Sequence, residues 1–424
     1  MVKSYQGFRG FLALGVFMVH LSILRQTPLA NVYDNWLIGC GAFCVLFFFL
    51  LSGFGIGSSF AYKGCPAYTW KGLGTYYLRR IKAIFPASII ITLVFVFMDR
   101  ASFFSDLSQS LKYIVGNLLL MEDLLHVPRI NPVSWYLSFL LLYYTVAPLF
   151  AFLLSKIKWR PAFYLIIAAI FVGQIVVVTQ NLNNPAHQQL FYTNWKFRFF
   201  DFLIGLVLGF AMQKPVFQVK KHRYLVFSGL EIGALAICAV FFYLRIYVPV
   251  PYLHGTYYTP FILLILLVFH EDAGIISKFL SRPTVQFCGG LSLYFYLIHF
   301  KVLLRVSTSG IPKISYIIII AFGLSLIFSC LLYFILHFNK TIHQLKGLDH
   351  RPIIEKLSLV LSILIEAGCV VICYQKLCAG QTAIAATLFI AVTLAVALFL
   401  LVSFFLLKQL SSSPEKQRTS KSDH

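Results

Sequence analysis

Two histidines and a few charged residues are the groups in this sequence equipped to do chemistry inside an otherwise apolar chain. Arg9 and His20 enclose ten residues of the first apolar run. On an α-helix that separation is roughly 16 Å, about three turns, so Arg9 would lie near one membrane face and His20 well inside the hydrocarbon layer. An ionisable side chain kept at such depth is costly and marks a water-filled cavity, a proton path or a reaction site. Imidazole titrates near working pH, which suits it to take a proton from a hydroxyl nucleophile or to carry a transferred group itself. The alternative for His20 is a helix-packing histidine bonded to a neighbouring carbonyl.

A second imidazole, His299, closes the run Tyr294-Phe295-Tyr296-Leu297-Ile298-His299, and Arg198 and Asp201 stand three residues apart in Phe197-Arg198-Phe199-Phe200-Asp201-Phe202. A carboxylate such as Asp201 near a histidine would hold its tautomer and orientation; an i,i+3 structural ion pair at a helix end is the competing reading. Elsewhere Arg79, Arg80 and Lys82 gather just ahead of Pro86. Cations at a membrane boundary suit a phosphate-rich donor, and equally serve as an ordinary basic anchor. Ser52 with Gly53 reads as a site of close helix approach in preference to a nucleophile.

The elements that must position these groups are transmembrane helices. With 59% hydrophobic and 12% charged residues over 424 positions, and a mean hydropathy of +0.83, the chain is far too apolar for a soluble globular protein. Apolar runs fall at about 8–24, 36–60, 81–98, 133–154, 162–180, 199–213, 224–249, 257–270, 285–307, 313–337, 357–375 and 382–407. They predict an all-α polytopic membrane bundle of about 12 helices, with Leu111 to Met121 too short to span and read as interfacial or re-entrant. The formal charge of +21 would suggest nucleic acid in a soluble chain. Here the cations gather in short loops, Lys63 to Lys82, Lys156 to Arg160 and Lys214 to Arg223, and so report topology. That places both termini in the cytoplasm and the acidic 99–132 loop outside. In this topology His20, His299 and the Arg198/Asp201 pair share one depth in the outer half. The tail 408–424, rich in Ser, Lys and Glu, reads as disordered. Nine cysteines, among them the helical neighbours Cys40/Cys44 and Cys369/Cys373, have no paired metal-ligand spacing, so neither a zinc site nor a disulfide framework is expected. The first run lacks a small-residue cleavage site and reads as a retained anchor.

Six separated pieces, taken in order, resemble the membrane acyltransferase-3 family. They are Arg9 with ten residues to His20; Phe48-Phe49-Leu50-Leu51-Ser52-Gly53-Phe54; Arg79-Arg80 with Pro86; and Ser134-Trp135-Tyr136-Leu137 leading through Tyr143-Tyr144 to Pro148. Arg198 with Asp201-Phe202 and Gly205, then Leu291-Ser292-Leu293-Tyr294 with Tyr296-Leu297-Ile298-His299, complete the set. The resemblance covers about residues 5–337 and implies a ten-helix acyltransferase core over 1–340, leaving 341–407 as an extra helix pair.

The resemblance further implies an O-acyltransferase, acetyl being the usual group, moving acyl from cytoplasmic acyl-CoA to a hydroxyl of a cell-surface or lipid-linked glycan at the plasma membrane. His20 would be the catalytic base or acyl carrier with Arg9 its motif partner, and His299 and Asp201 would join them. Arg79, Arg80, Lys82 and Ser52 would face the donor, and Trp135 and Arg198 the acceptor. No bound cofactor or metal, and no nucleic acid, is expected. The resemblance departs from the family pattern in two places: Leu140 or Leu141 stands where many members have an acid after the Trp motif, and Ala83 where many have a second arginine before the proline. Succinyl transfer, and a transporter or flippase for a lipid-linked glycan using the same buried polar residues, are the rival functions. Coenzyme A release separates transfer from transport, and a scaffold in a polysaccharide-assembly complex would leave His20→Ala silent.

Overall fold

The structure is a computed structural model that describes residues 2–24, 38–64, 68–99, 107–186, 188–213, 222–311 and 313–346. The expected helices at 357–375 and 382–407, and the tail 408–424, lie outside the described residues.

The long helices are α1 (Lys3–His20), α2 (Ile38–Lys63), α3 (Trp70–Met98), α5 (Trp135–Ser155), α6 (Pro161–Gln180), α7 (Trp195–Ala211), α8 (Arg223–Leu244), α10 (Thr259–Phe269), α12 (Pro283–Ser307) and α13 (Ile314–Lys346). Short helices α4 (Leu107–Leu118), α9 (Val250–Gly255) and α11 (Ile275–Leu280) connect them. Among the described residues nine helical segments are long and apolar enough to cross a membrane, one of them joining α9 to α10 as Val250–Phe269. α7, with 17 residues, sits at the lower limit for a span. Each of the first ten apolar runs thus has its helix, and the fold is the all-helical membrane bundle that the sequence predicts.

The chain forms two compact units, Met1–Lys301 and Val302–His424. In the first, α2 is the central helix. It packs against α1, α5, α10 and, most extensively, α7. The α2/α7 crossing is made of glycine: a Cβ on Gly53 or Gly57 would collide with the backbone of Phe202 and Leu206, and one on Gly205 or Gly209 would collide with that of Leu50, Phe54 and Ser58. Two small-xxx-small stripes therefore face each other, and the backbones approach as close as only glycine permits.

Backbone ends are satisfied locally, as a membrane demands. Asp272 caps α1 by accepting from the Lys3 and Ser4 N–H groups at 2.8 and 3.0 Å. Buried Glu231 on α8 accepts from the N–H groups of Gly274, Ile276 and Ser277 at the start of α11. Thr69 and Asn194 cap α3 and α7. α3 starts at Trp70, eleven residues before the apolar run at 81–98, because the run marks only the part of a helix that meets lipid and misses its polar first turns. In the second unit, Ser325 and Ser329 of α13 donate to the carbonyls of Ala321 and Ser325, so neither hydroxyl is left unpaired.

Candidate functional site

α1 ends on His20, and α12 carries His299 on the same level. His20 Nδ1 and His299 Nε2 are 2.8 Å apart, with ring centroids at 5.0 Å. His299 is fully buried and His20 half-buried. The second nitrogen of His299, Nδ1, lies 3.0 Å from the Phe295 carbonyl one turn back. A carbonyl only accepts, so Nδ1 of His299 carries the hydrogen and its Nε2 offers a lone pair. His20 Nδ1–H donates to that lone pair, which leaves Nε2 of His20 as the basic nitrogen. These tautomers are assigned from the hydrogen-bond partners. Phe300 stands edge-on to the His20 ring at 4.9 Å, and Phe295 stacks on His299.

The loop between α4 and α5 grips α12 beside this pair. Asn131 Nδ2 donates to the Leu297 carbonyl at 2.8 Å, and the Tyr296 hydroxyl donates to the Val133 carbonyl at 2.9 Å.

Arg198 and Asp201 do not join the histidines. The guanidinium donates to Asp201 Oδ2 at 2.6 Å, to the Tyr192 carbonyl at 3.1 Å and to the His254 carbonyl. The other carboxylate oxygen, Oδ1, accepts from Gln174 at 2.8 Å. Both residues are buried, and the pair ties α7 to the turn at Gln188–Tyr192, to α9 and to α6. Asp201 is therefore not the group that orients an imidazole; the Phe295 carbonyl fills that role for His299, and His299 for His20. Trp135 packs between Phe139 and Tyr192, at 5.4 and 5.5 Å between ring centroids.

On the face where α1 begins, a cavity of about 400 Å³ opens between α2 and α3. Lys63, Lys71, Arg79 and Arg80 line it, with Ser59, Thr69, Thr75 and Tyr76 between them. Lys71, Thr75 and Arg79 are four residues apart on α3 and so share one face. Arg80 lies over the rings of Tyr76 and Tyr144, at 5.5 and 5.2 Å, and the Tyr76 hydroxyl donates to the Tyr144 carbonyl at 2.9 Å. Four cations, hydroxyls and a flat aromatic face are groups of the kind that hold phosphate oxygens. Lys82 is exposed and is not part of the lining. Lys63, Lys71 and Tyr76 are lining residues that the apolar-run reading passed over, because it ends the second helix before Lys63 and begins the third beyond Lys71 and Tyr76.

Between the two levels, Ser52 Oγ lies 3.2 Å from Tyr136 Oη, and the charge of Arg9 acts on that phenol. Ser52 thus pairs with α5 and stands apart from the cationic cavity. Among the described residues no three His, Cys, Asp or Glu side chains cluster as a metal site.

Neither a curated protein nor a solved structure matches the chain. A family model described as an acyltransferase domain matches residues 2–336, the span that contains the histidine pair and the cationic cavity. This chain therefore belongs to the acyltransferase-3 family and is a membrane acyltransferase.

Proposed function

We propose that this protein is an O-acyltransferase of the plasma membrane that moves an acyl group, acetyl first among them, from cytoplasmic acyl-CoA to a hydroxyl of a cell-surface or lipid-linked glycan. The observation that carries this reading is the directional His20–His299 pair, whose tautomers leave one basic nitrogen on His20. The cationic cavity at the opposite level is its complement, with Arg79, Arg80, Lys63 and Lys71 meeting the donor phosphates.

In the direct route, Nε2 of His20 takes the proton of the acceptor hydroxyl as its oxygen attacks the thioester carbonyl. The C–O bond forms, the C–S bond breaks, and the proton passes from His20 to the departing coenzyme A thiolate. His299 accepts a hydrogen bond from Nδ1 throughout, so the positive charge that develops on His20 meets a lone pair. In the relayed route Nε2 itself attacks the thioester, its C–N bond forming as the C–S bond breaks and coenzyme A leaves as thiolate. The sugar oxygen then attacks the acyl-imidazole, the C–N bond breaks and returns its electron pair to Nε2, and the hydroxyl proton ends on the thiolate. Arg9, whose charge acts on the Tyr136 phenol, and the Ser52–Tyr136 hydroxyl pair would give the thioester arm polar company within the bilayer.

The deciding experiment measures ester-linked acyl groups on surface glycan in cells expressing the parent chain or His20→Ala, at matched membrane abundance. Ester with the parent and none with the variant is the expected result, and its mass names the acyl group. Ester with both removes His20 from the chemistry.

A further inference from the structure

The loop that grips α12 carries a polar cluster that takes no part in the steps above. Asn117, Glu122, Asn131 and Ser134 are each no more than 5% exposed. Asn117 pins the loop to α4: its Nδ2 donates to the carbonyls of Tyr113 and Pro128, and its Oδ1 accepts from the Ile130 N–H at 2.8 Å. Asn131 then reaches the Leu297 carbonyl, two residues before His299.

Hydrogen counting at Ser134 fixes the charge of Glu122. Ser134 Oγ lies 2.5 Å from Glu122 Oε1 and 2.8 Å from the Asn131 carbonyl oxygen. A hydroxyl has one hydrogen to give, whereas a carboxylate and a carbonyl are both pure acceptors. With Glu122 ionised, one of the two contacts would set lone pair against lone pair in a buried site. With Glu122 protonated, both contacts are hydrogen bonds: the carboxyl O–H donates to Ser134, and Ser134 donates to Asn131.

The surroundings agree with a neutral carboxyl. The Ser138 hydroxyl and the backbone N–H of Glu122 face the carboxyl, but neither closes a well-formed hydrogen bond on Oε2, which makes a full charge there expensive. The charged groups of the loop are Asp123 and Arg129, and they are paired with each other. From α5 the facing groups are the neutral hydroxyls of Ser134 and Ser138, and from α12 the loop meets Tyr296. Burial pushes the Glu122 carboxyl up and outweighs the hydrogen bonds from Ser134, its own backbone N–H and Ser138, which favour the charged form; the charge of Asp123 adds a little to the rise.

We propose that Glu122 is a neutral carboxylic acid at working pH and a positioning residue for the histidine pair, its proton ordering a chain from Glu122 through Ser134 and Asn131 to the Leu297 carbonyl of α12. The positioning role rests on the acyl-transfer reading, whereas the protonation state does not. Raising pH through the elevated carboxyl pKa removes the proton, turns the Ser134 hydrogen toward Glu122 and releases the Asn131 carbonyl. The grip on α12 then loosens, and with it the alignment of His299.

The test uses the full chain in membranes, with parent, Glu122→Gln and Glu122→Ala compared at matched abundance. Infrared difference spectra report the C=O stretch of a protonated carboxyl, and transfer is followed as coenzyme A release against pH. The parent shows the protonated-carboxyl band at neutral pH and Glu122→Gln lacks it. Glu122→Gln keeps a donor toward Ser134 and retains transfer near the parental rate, without the parent's alkaline decline. Glu122→Ala loses about tenfold, as expected for a missing buried hydrogen bond. A parent spectrum without the band overturns the proposal, and an alkaline decline unchanged in Glu122→Gln overturns the positioning role. The band with no transfer from any of the three chains overturns the acyl-transfer reading and the positioning role together, while the neutral carboxyl stands.

Discussion

The hydrogen bond from His20 Nδ1 to His299 Nε2, 2.8 Å long, joins the last residue of α1 to the middle of α12. It makes His299 the group that decides which nitrogen of His20 is basic. His299→Leu removes the acceptor and frees His20 to adopt either tautomer, so transfer should fall by about 10²-fold or more. His299→Gln keeps a side-chain acceptor and should recover part of that loss. Because the two residues act as a unit, His20→Ala combined with His299→Leu should be no worse than His20→Ala alone. Initial rates of acyl transfer at matched abundance check this. An additive double variant would separate the two imidazoles functionally.

The cationic cavity predicts an unequal division of labour among neighbouring basic residues. Arg80→Ala and Lys63→Ala each remove a charged donor from the cavity wall and should raise the KM for acyl-CoA on the order of tenfold, with smaller effects on kcat. Lys82→Ala, on the exposed flank outside the lining, should stay within about twofold. The cavity is open to solvent, so added salt should weaken donor binding in the parent more than in Arg80→Ala.

What the sequence could convey follows from which interactions are local. The ten described long helices are written in apolar run length, and the shared depth of His20 and His299 follows from counting residues along helices of known rise. That the two rings touch is a tertiary fact, set by glycine contacts such as Gly10 against Gly289 that bring α1 onto α12. The i,i+3 ion pair of Arg198 with Asp201 is legible in their spacing, but the rest of the surroundings of Arg198 is not, for the same reason. Two of its three acceptors are the backbone carbonyls of Tyr192 and His254, and a carbonyl carries no sequence signature. Lys71 and Tyr76 were hidden because the polar first turns of α3 resemble a loop until Thr69 is seen to cap them. Glu122 looked like one more acid in an outer loop, and only its burial against Ser134 distinguishes it from Asp123 beside it.

Arg198 and Asp201 should govern stability in preference to chemistry. Removing one member leaves the other buried without its counter-charge, a change that costs about 3–5 kcal/mol in comparable sites. Arg198→Leu or Asp201→Leu should therefore lower membrane abundance and the melting temperature in detergent. The double variant Arg198→Leu with Asp201→Leu leaves no orphan charge and should recover part of the loss. If either single variant were as stable as the parent yet devoid of transfer, the pair would belong to the reaction.

The α2/α7 crossing predicts which glycines tolerate a side chain. At Gly205 a Cβ meets the carbonyl of Leu50, a backbone group that can retreat only if the whole helix moves. Gly53 meets the Phe202 carbonyl in the same way, so Gly205→Val or Gly53→Val must spread the two helices along their length. α2 also holds Phe49 against Tyr136 and Tyr143, with ring centroids at 4.6 and 5.7 Å, so the spreading would pass to α5. Gly55 lies between the contact positions of the same helix, and a Cβ there meets nothing within 4 Å. Gly55→Ala should accordingly match the parent or gain slightly, since alanine favours the helix. Thermal unfolding in detergent, with the three variants side by side, checks the contrast. Equal melting temperatures for Gly205→Val and Gly55→Ala would mean that the close approach of α2 and α7 is not what holds them together.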